Sequence, residues 1–214
     1  LPSPNVRLTL EDGNGTLWIG TNGGVAAYDG RSIVSHAGKG GALAGTIWAG
    51  AVDRHGVLWF GSDRGLVSYD GETFRTFLRA DGLADDYVYS LFPASDGSIW
   101  LGSRGHGVTR CTLEPGGRLG NCRVFTSADG LGHNSIRAIA EDRDGTLYFA
   151  TRGGGLARFD GESFTRLTAA DGLPDKLTAF RMTGTAPPPR PHYPVFWNDA
   201  QVSEICSGTQ SPSL

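Results

Sequence analysis

"EDGNGTLWIGTNGG", residues 11–24, sets a Trp between two aliphatic residues, with glycine at a fixed distance on each side. The central part returns: GTLWIGT at 15–21, GVLWFGS at 56–62, GSIWLGS at 97–103 and GTLYFAT at 145–151, at offsets of 41, 41 and 48 residues. A second marker follows the first: GGVAAYDG at 23–30, RGLVSYDG at 64–71 and GGLARFDG at 154–161. The third copy, HGVTRC at 106–111, lacks the Asp-Gly and carries extra residues, which accounts for the longer interval. A third marker, ADGL, stands at 80–83, 128–131 and 170–173, with only GGAL in the first copy.

Each unit holds four short strand-like segments. In the third they are YVYSLFPAS, SIWLGS, HGVTRC and CRVFTS, separated by turn signals. Asp-Gly between apolar segments marks a tight hairpin, because such turns need positive φ at their centre. No 3.6-residue period is present, so helices are not expected. Four strands in about 40–45 residues make one β-propeller blade. The expected fold is therefore all-β, about four four-stranded blades in an open arc or incomplete ring. The repeat region spans 1–180, with blades at about 5–43, 46–83, 86–131 and 134–173 and the start of a fifth at 175–180. A Pro-rich irregular tail, 181–214, fits no repeat and reads as disordered or out of frame, so the chain reads as a piece of a larger protein.

A blade is covered on both faces by its neighbours, so its middle strands can be apolar on both faces. Trp18, Trp59, Trp100 and Tyr148 are accordingly expected to be structural, buried and equivalent across blades. Stacking on a carbohydrate is the other reading of this series. Gly20, Gly61, Gly102 and Ala150 follow where strands converge on a crowded axis.

The chain has 214 residues, 33 of them Gly, and a net charge of −3. No basic excess is available to neutralise phosphates, so a nucleic-acid partner is not expected. No apolar run reaches the ~18 residues of a membrane span, so this segment is not expected to contact a membrane. Cys111, Cys122 and Cys206 form no CxxC pair, and His36, His55, His106, His133 and His192 form no HxH or HExxH pattern. Neither a metal site nor a zinc hydrolase is expected. EDGNG and EDRDG lack the spaced oxygen ligands of a calcium loop, and the Gly-rich 153–155 is not followed by a helix that could hold phosphate. No cofactor and no catalytic constellation is expected.

The pattern EDxxGxLWxGTxxGGVxxYDG followed by ADGL resembles the two-component regulator propeller repeat, over about residues 5 to 180. That resemblance implies a propeller of about seven blades on the periplasmic or extracellular side of the cytoplasmic membrane, in a hybrid histidine kinase or diguanylate cyclase protein. The implied function is an extracytoplasmic ligand-sensing module binding a glycan-type or acidic small ligand, a small molecule or oligosaccharide. A homodimer through the parent protein would accompany it. The alternatives are a propeller lyase or hydrolase and a protein-interaction scaffold.

The loops after each second strand, TNGG, SDRG, SRGHG and TRGGG, open on one face of a propeller. They carry the ligand-binding candidates Asn22, Arg64, Arg104, His106 and Arg152, with Asp63 among them. Arginines clustered there could bind a carboxylate or sulfate bidentately. The plainer reading is that they are solvated or paired to a neighbouring Asp.

Cys111 ends the third strand of its unit and Cys122 begins the fourth, with Pro115, Gly116, Gly117 and Gly120 turning the chain between them. Side by side across an antiparallel pair, they are expected to form a disulfide, which fits an oxidising compartment. Two reduced thiols used as small apolar residues are the alternative. Cys206 is expected to stay unpaired.

Overall fold

The computed structural model describes residues 1–38 and 41–173. The start of a fifth unit at 175–180, the tail and Cys206 lie outside the described residues. Sixteen strands form four antiparallel sheets, each a meander in chain order. Blade 1 holds β1 (Val6–Glu11), β2 (Leu17–Thr21), β3 (Gly24–Tyr28) and β4 (Ile33–Ser35). Blade 2 holds β5 (Ile47–Val52), β6 (Leu58–Ser62), β7 (Gly65–Tyr69) and β8 (Phe74–Phe77). Blade 3 holds β9 (Val88–Pro93), β10 (Ser98–Ser103), β11 (Val108–Glu114) and β12 (Arg118–Phe125). Blade 4 holds β13 (Ile136–Glu141), β14 (Leu147–Thr151), β15 (Leu156–Phe159) and β16 (Phe164–Leu167). The described residues contain short 3-10 turns and no α-helix. First strands adjoin around the arc in the order β1, β5, β9, β13, and the sheets do not close into a ring.

The cores lie between blades, as two-sided apolar strands require. Trp18 packs against Phe60 and Tyr69 of blade 2, at 5.8 and 5.3 Å between ring centroids. Trp59 is fully buried with Val88, Ile99 and Leu101 of blade 3. Trp100 meets Phe149 and Phe159 of blade 4 at 5.1 and 5.3 Å. Tyr148 departs from the expectation: it is only half-buried. Its face of blade 4 is the one on which no described blade packs, so the covering that buries the three tryptophans is missing there. Blade 1 shows the same at the other end, with Val6, Ile33 and Val34 about half exposed (49%, 50% and 50%).

Glycine after the Trp is required by the next blade. A Cβ on Gly61 would stand 2.8 Å from Val88 Cγ1 and 2.9 Å from its carbonyl oxygen, closer than carbon tolerates. The ADGL copies are structural turns. Asp81, Asp129 and Asp171 each accept the backbone N–H of the residue three before them, and the following Gly is left-handed, at φ 99°, 102° and 92°. Leu83 and Leu131 then drop into the interblade cores, and Leu43 of the GGAL copy does the same.

A repeated Asp closes the first hairpin of three blades. Asp12 Oδ1 accepts from the backbone of Asn14 and Thr16, and its Oδ2 from Trp18 Nε1. Asp53 does the same for His55, Val57 and Trp59. Asp142 does so for Asp144 and Thr146, and accepts from the Tyr148 hydroxyl. Burial works against the charge of Asp12, yet the bonds from Trp18, Thr16 and Asn14 hold its carboxyl below the usual carboxylate range.

Cys111 pairs with Cys122 across β11 and β12 and the two form a disulfide, with Cα atoms 4.1 Å apart. That separation is nearer the ~4.5 Å of a non-hydrogen-bonded antiparallel pair than the ~5.5 Å of a hydrogen-bonded one.

Candidate ligand-binding site

Each blade begins with the same irregularity. The pairing of its first two strands slips between Val6 and Leu8, Ile47 and Ala49, Val88 and Ser90, and Ile136 and Ala138. A bulge places one extra residue in the strand and re-aims its side chain. The extra residues are Arg7, Trp48, Tyr89 and Arg137. Their strands adjoin one another, so two arginines and two aromatic rings form one row along the inner edge of the arc.

The row is a sequence of cations and rings. Arg7 Cζ lies 4.5 Å over the Trp48 ring. Trp48 contacts Tyr87 at 5.7 Å and Tyr89 at 5.3 Å between centroids. Arg104 Cζ stands 5.6 Å over Tyr87, and Arg137 Cζ 5.0 Å over Tyr89. Arg137 also donates to the Tyr89 hydroxyl at 2.6 Å. Burial pushes the Tyr89 hydroxyl's pKa up, against the pull of Arg137, Arg104 and Arg7, so three guanidinium groups act on one hydroxyl. Tyr87 is likewise raised by burial, opposed by Arg104. The Trp48 indole N–H is buried and has no hydrogen-bond partner among the described residues.

The loops between second and third strands open beside this row, because the end of each second strand pairs with the start of the first strand. Four hydroxyls shape them identically: Thr21, Ser62, Ser103 and Thr151 donate to the carbonyls of Gly24, Gly65, Gly107 and Gly155 at 2.8–3.0 Å. Of the sequence candidates, Arg104 joins the row through Tyr87, and Asn22 joins it by accepting from Arg7 Nε at 2.6 Å. His106 Nδ1 instead lies 2.7 Å from Asp85 Oδ2. The exposed side chains of Arg64 and Arg152 make no ion pair among the described residues. Asp63 accepts the Thr46 backbone N–H. Beside Asp85, Tyr87 and Thr109 lies a shallow surface depression that encloses no cavity of ligand size. The row is thus an open surface. Among the described residues no group of three or more His, Cys, Asp or Glu side chains could hold a metal ion.

Arg7, Trp48, Tyr89 and Arg137 were not singled out from the sequence. The available signal was register: each stands eleven residues ahead of its blade's Trp18, Trp59, Trp100 or Tyr148. Aligning the copies exposes that column, but its residue types differ, so no motif marks it.

Residues 1–23, 82–105 and 130–153 match the family described as two-component regulator propeller. None of the curated proteins matches the chain. Among solved structures, the chain is similar to an extracellular domain assigned to a hybrid two-component system of B. thetaiotaomicron, with 26% identity and a TM-score of 0.66 over 79% of this chain and 24% of that one. It is also similar to PorZ, an essential bacterial surface component of the type-IX secretion system of Porphyromonas gingivalis, with 20% identity and a TM-score of 0.57 over 72% and 26%. A gluconolactonase of Xanthomonas campestris matches at 17% identity and a TM-score of 0.57 over 74% and 60%. The latter two likenesses concern the propeller fold alone. The chain spans about a quarter of the length of the first two.

Proposed function

Because this chain carries repeats of the two-component regulator propeller family, we propose that it is an extracytoplasmic ligand-sensing module of a bacterial two-component or cyclic-dinucleotide signalling protein, taking a glycan-type or acidic small ligand. The observation that carries the reading is the row of Arg7, Trp48, Tyr89 and Arg137. A purely structural repeat keeps one kind of side chain at a register position, as the aromatic Trp/Tyr column and the small Gly/Ala column do. Here the position carries two cations and two rings beside the adaptable loops. Rings offer faces to sugar C–H groups, and guanidinium groups offer paired donors to anions. The similarity to an extracellular domain supports the location, and so does the disulfide, which persists in oxidising compartments.

The likeness to a gluconolactonase supplies a second reading, propeller hydrolysis. Among the described residues no nucleophile–base pair stands at the row, and the acid–base contact beside it is His106–Asp85. Screening the 214-residue chain against arrayed neutral and acidic oligosaccharides, with product analysis of every hit, separates the readings. Retention without turnover is expected. Turnover transfers the site to the hydrolase reading, and retention of no arrayed ligand overturns the sensing one.

A further inference from the structure

Two arginines elsewhere in the arc have acidic partners, Arg75 with Asp70 and Arg110 with Asp96, each at 2.6 Å. Arg7 and Arg104 have none among the described residues. Each is instead laid over a ring, Arg7 on Trp48 and Arg104 on Tyr87, and those two rings touch. A stacked guanidinium is already oriented, so less side-chain entropy is lost when its N–H edge takes up an anion. Arg7 commits Nε to Asn22, which fixes its plane and leaves its two terminal nitrogens for a ligand. The nearby acidic groups are engaged, Asp63 with the Thr46 N–H and Asp85 with His106. Among the described residues the buried Trp48 N–H lacks an acceptor, and a buried donor left so is unfavourable.

We propose that this row binds a ring compound bearing a carboxylate, with Arg7 and Arg104 holding the anionic group and the edges of Trp48 and Tyr87 taking the ring. This rests on the sensing reading and narrows it to one ligand class. Acidic sugars and aromatic acids share this chemistry. A neutral sugar would leave both guanidinium groups without an anion.

The test is calorimetric titration of the whole 214-residue chain at low ionic strength, where screening of exposed charge is least. The probes are galacturonate, galactose as its neutral counterpart, and benzoate. At least one acid is expected to bind tenfold or more tightly than galactose. Galacturonate ahead of benzoate identifies an acidic sugar, and the reverse order an aromatic acid. Arg104→Gln, at an exposed position that folding does not need, is expected to weaken the acid about tenfold. Arg31→Gln, in the β3–β4 hairpin of blade 1, is expected to leave it unchanged. Binding should alter the tryptophan fluorescence of the parent chain and lose that change in Trp48→Phe. Equal binding of galactose, an unchanged affinity in Arg104→Gln, or no binding of either acid overturns the anion site. In each of these cases the sensing reading is judged separately by the neutral glycans of the array.

Discussion

Blades 2 and 3 have the same four strands and close their hairpins by different chemistry. In blade 2, Asp53 ties the first hairpin to Trp59. In blade 3 the same position is Ala94. The turn is held instead by Asp96, which accepts from the Ser98 backbone and hydroxyl and pairs with Arg110. Trp100 Nε1 is left buried without a hydrogen-bond partner among the described residues, while the Arg110 guanidinium lies 5.5 Å over its ring. The outer hairpins differ as well. Blade 2 uses Asp70, which accepts from the backbone of Glu72 and Thr73 and from Arg75. Blade 3 has the Cys111–Cys122 bridge, and its longer hairpin reaches back so that the Gly117 carbonyl accepts from buried Ser68 of blade 2. The comparison teaches that the apolar faces define a blade. Its polar closures are exchangeable, provided each turn has one.

The largest effect tests the part the two blades share. Trp59→Ala and Trp100→Ala should each cost about 3–5 kcal/mol in denaturant unfolding, and Tyr148→Ala, on the uncovered face, clearly less. Equal losses at all three positions would break the link between neighbour and burial. Next, Asp53→Ala should cost about 3 kcal/mol, because it strands a buried indole N–H and two backbone donors. The converse, Ala94→Asp, supplies the acceptor Trp100 lacks and should gain about 1 kcal/mol at neutral pH. A loss there would show that the Asp96 closure excludes a second carboxylate. Reducing Cys111–Cys122 should cost about 2–3 kcal/mol, the chain-entropy value for so short a loop. Mass spectrometry of periplasmic material digested without reductant should find the two cysteines linked, and alkylatable thiols would remove the bridge.

The smallest effect is the share of the acid dependence that Asp70 of blade 2 contributes. Arg75's donated bond, followed by the Thr73 and Glu72 backbone bonds, holds the Asp70 carboxyl down to about 2. An unfolded Asp titrates near ~3.9. A depressed folded value stabilises the protein above the unfolded pKa, and that contribution is lost as pH falls from about 4 through about 2. Arg75→Gln should make the fall of melting temperature over this window shallower. An unchanged acid profile would show the pair to be fully screened, as exposed pairs often are.

Much of this was legible because a repeat states its own register. The Trp, Asp-Gly and ADGL columns set out four four-stranded blades, and the missing Asp-Gly in the third copy located the disulfide. The role of Asp12, Asp53 and Asp142 was not visible. An Asp before a turn is an ordinary turn residue, and its bond to a Trp six positions on depends on how the hairpin folds the two together. The burial of Tyr148 was overestimated, because a face is buried only by what packs against it.

The sequence by itself determined the blades. Strand period, turn chemistry and close approach are local requirements, and each leaves a residue that no substitute satisfies, such as Gly61 beside Val88. Only the tertiary structure decided the candidate site. Arg7, Trp48, Tyr89 and Arg137 are separated by some 40 residues each and share no common residue type across all four copies. They meet because four equivalent bulges turn them out of their sheets and the adjoining first strands set them side by side. A contact made by convergence carries no signature in any one repeat.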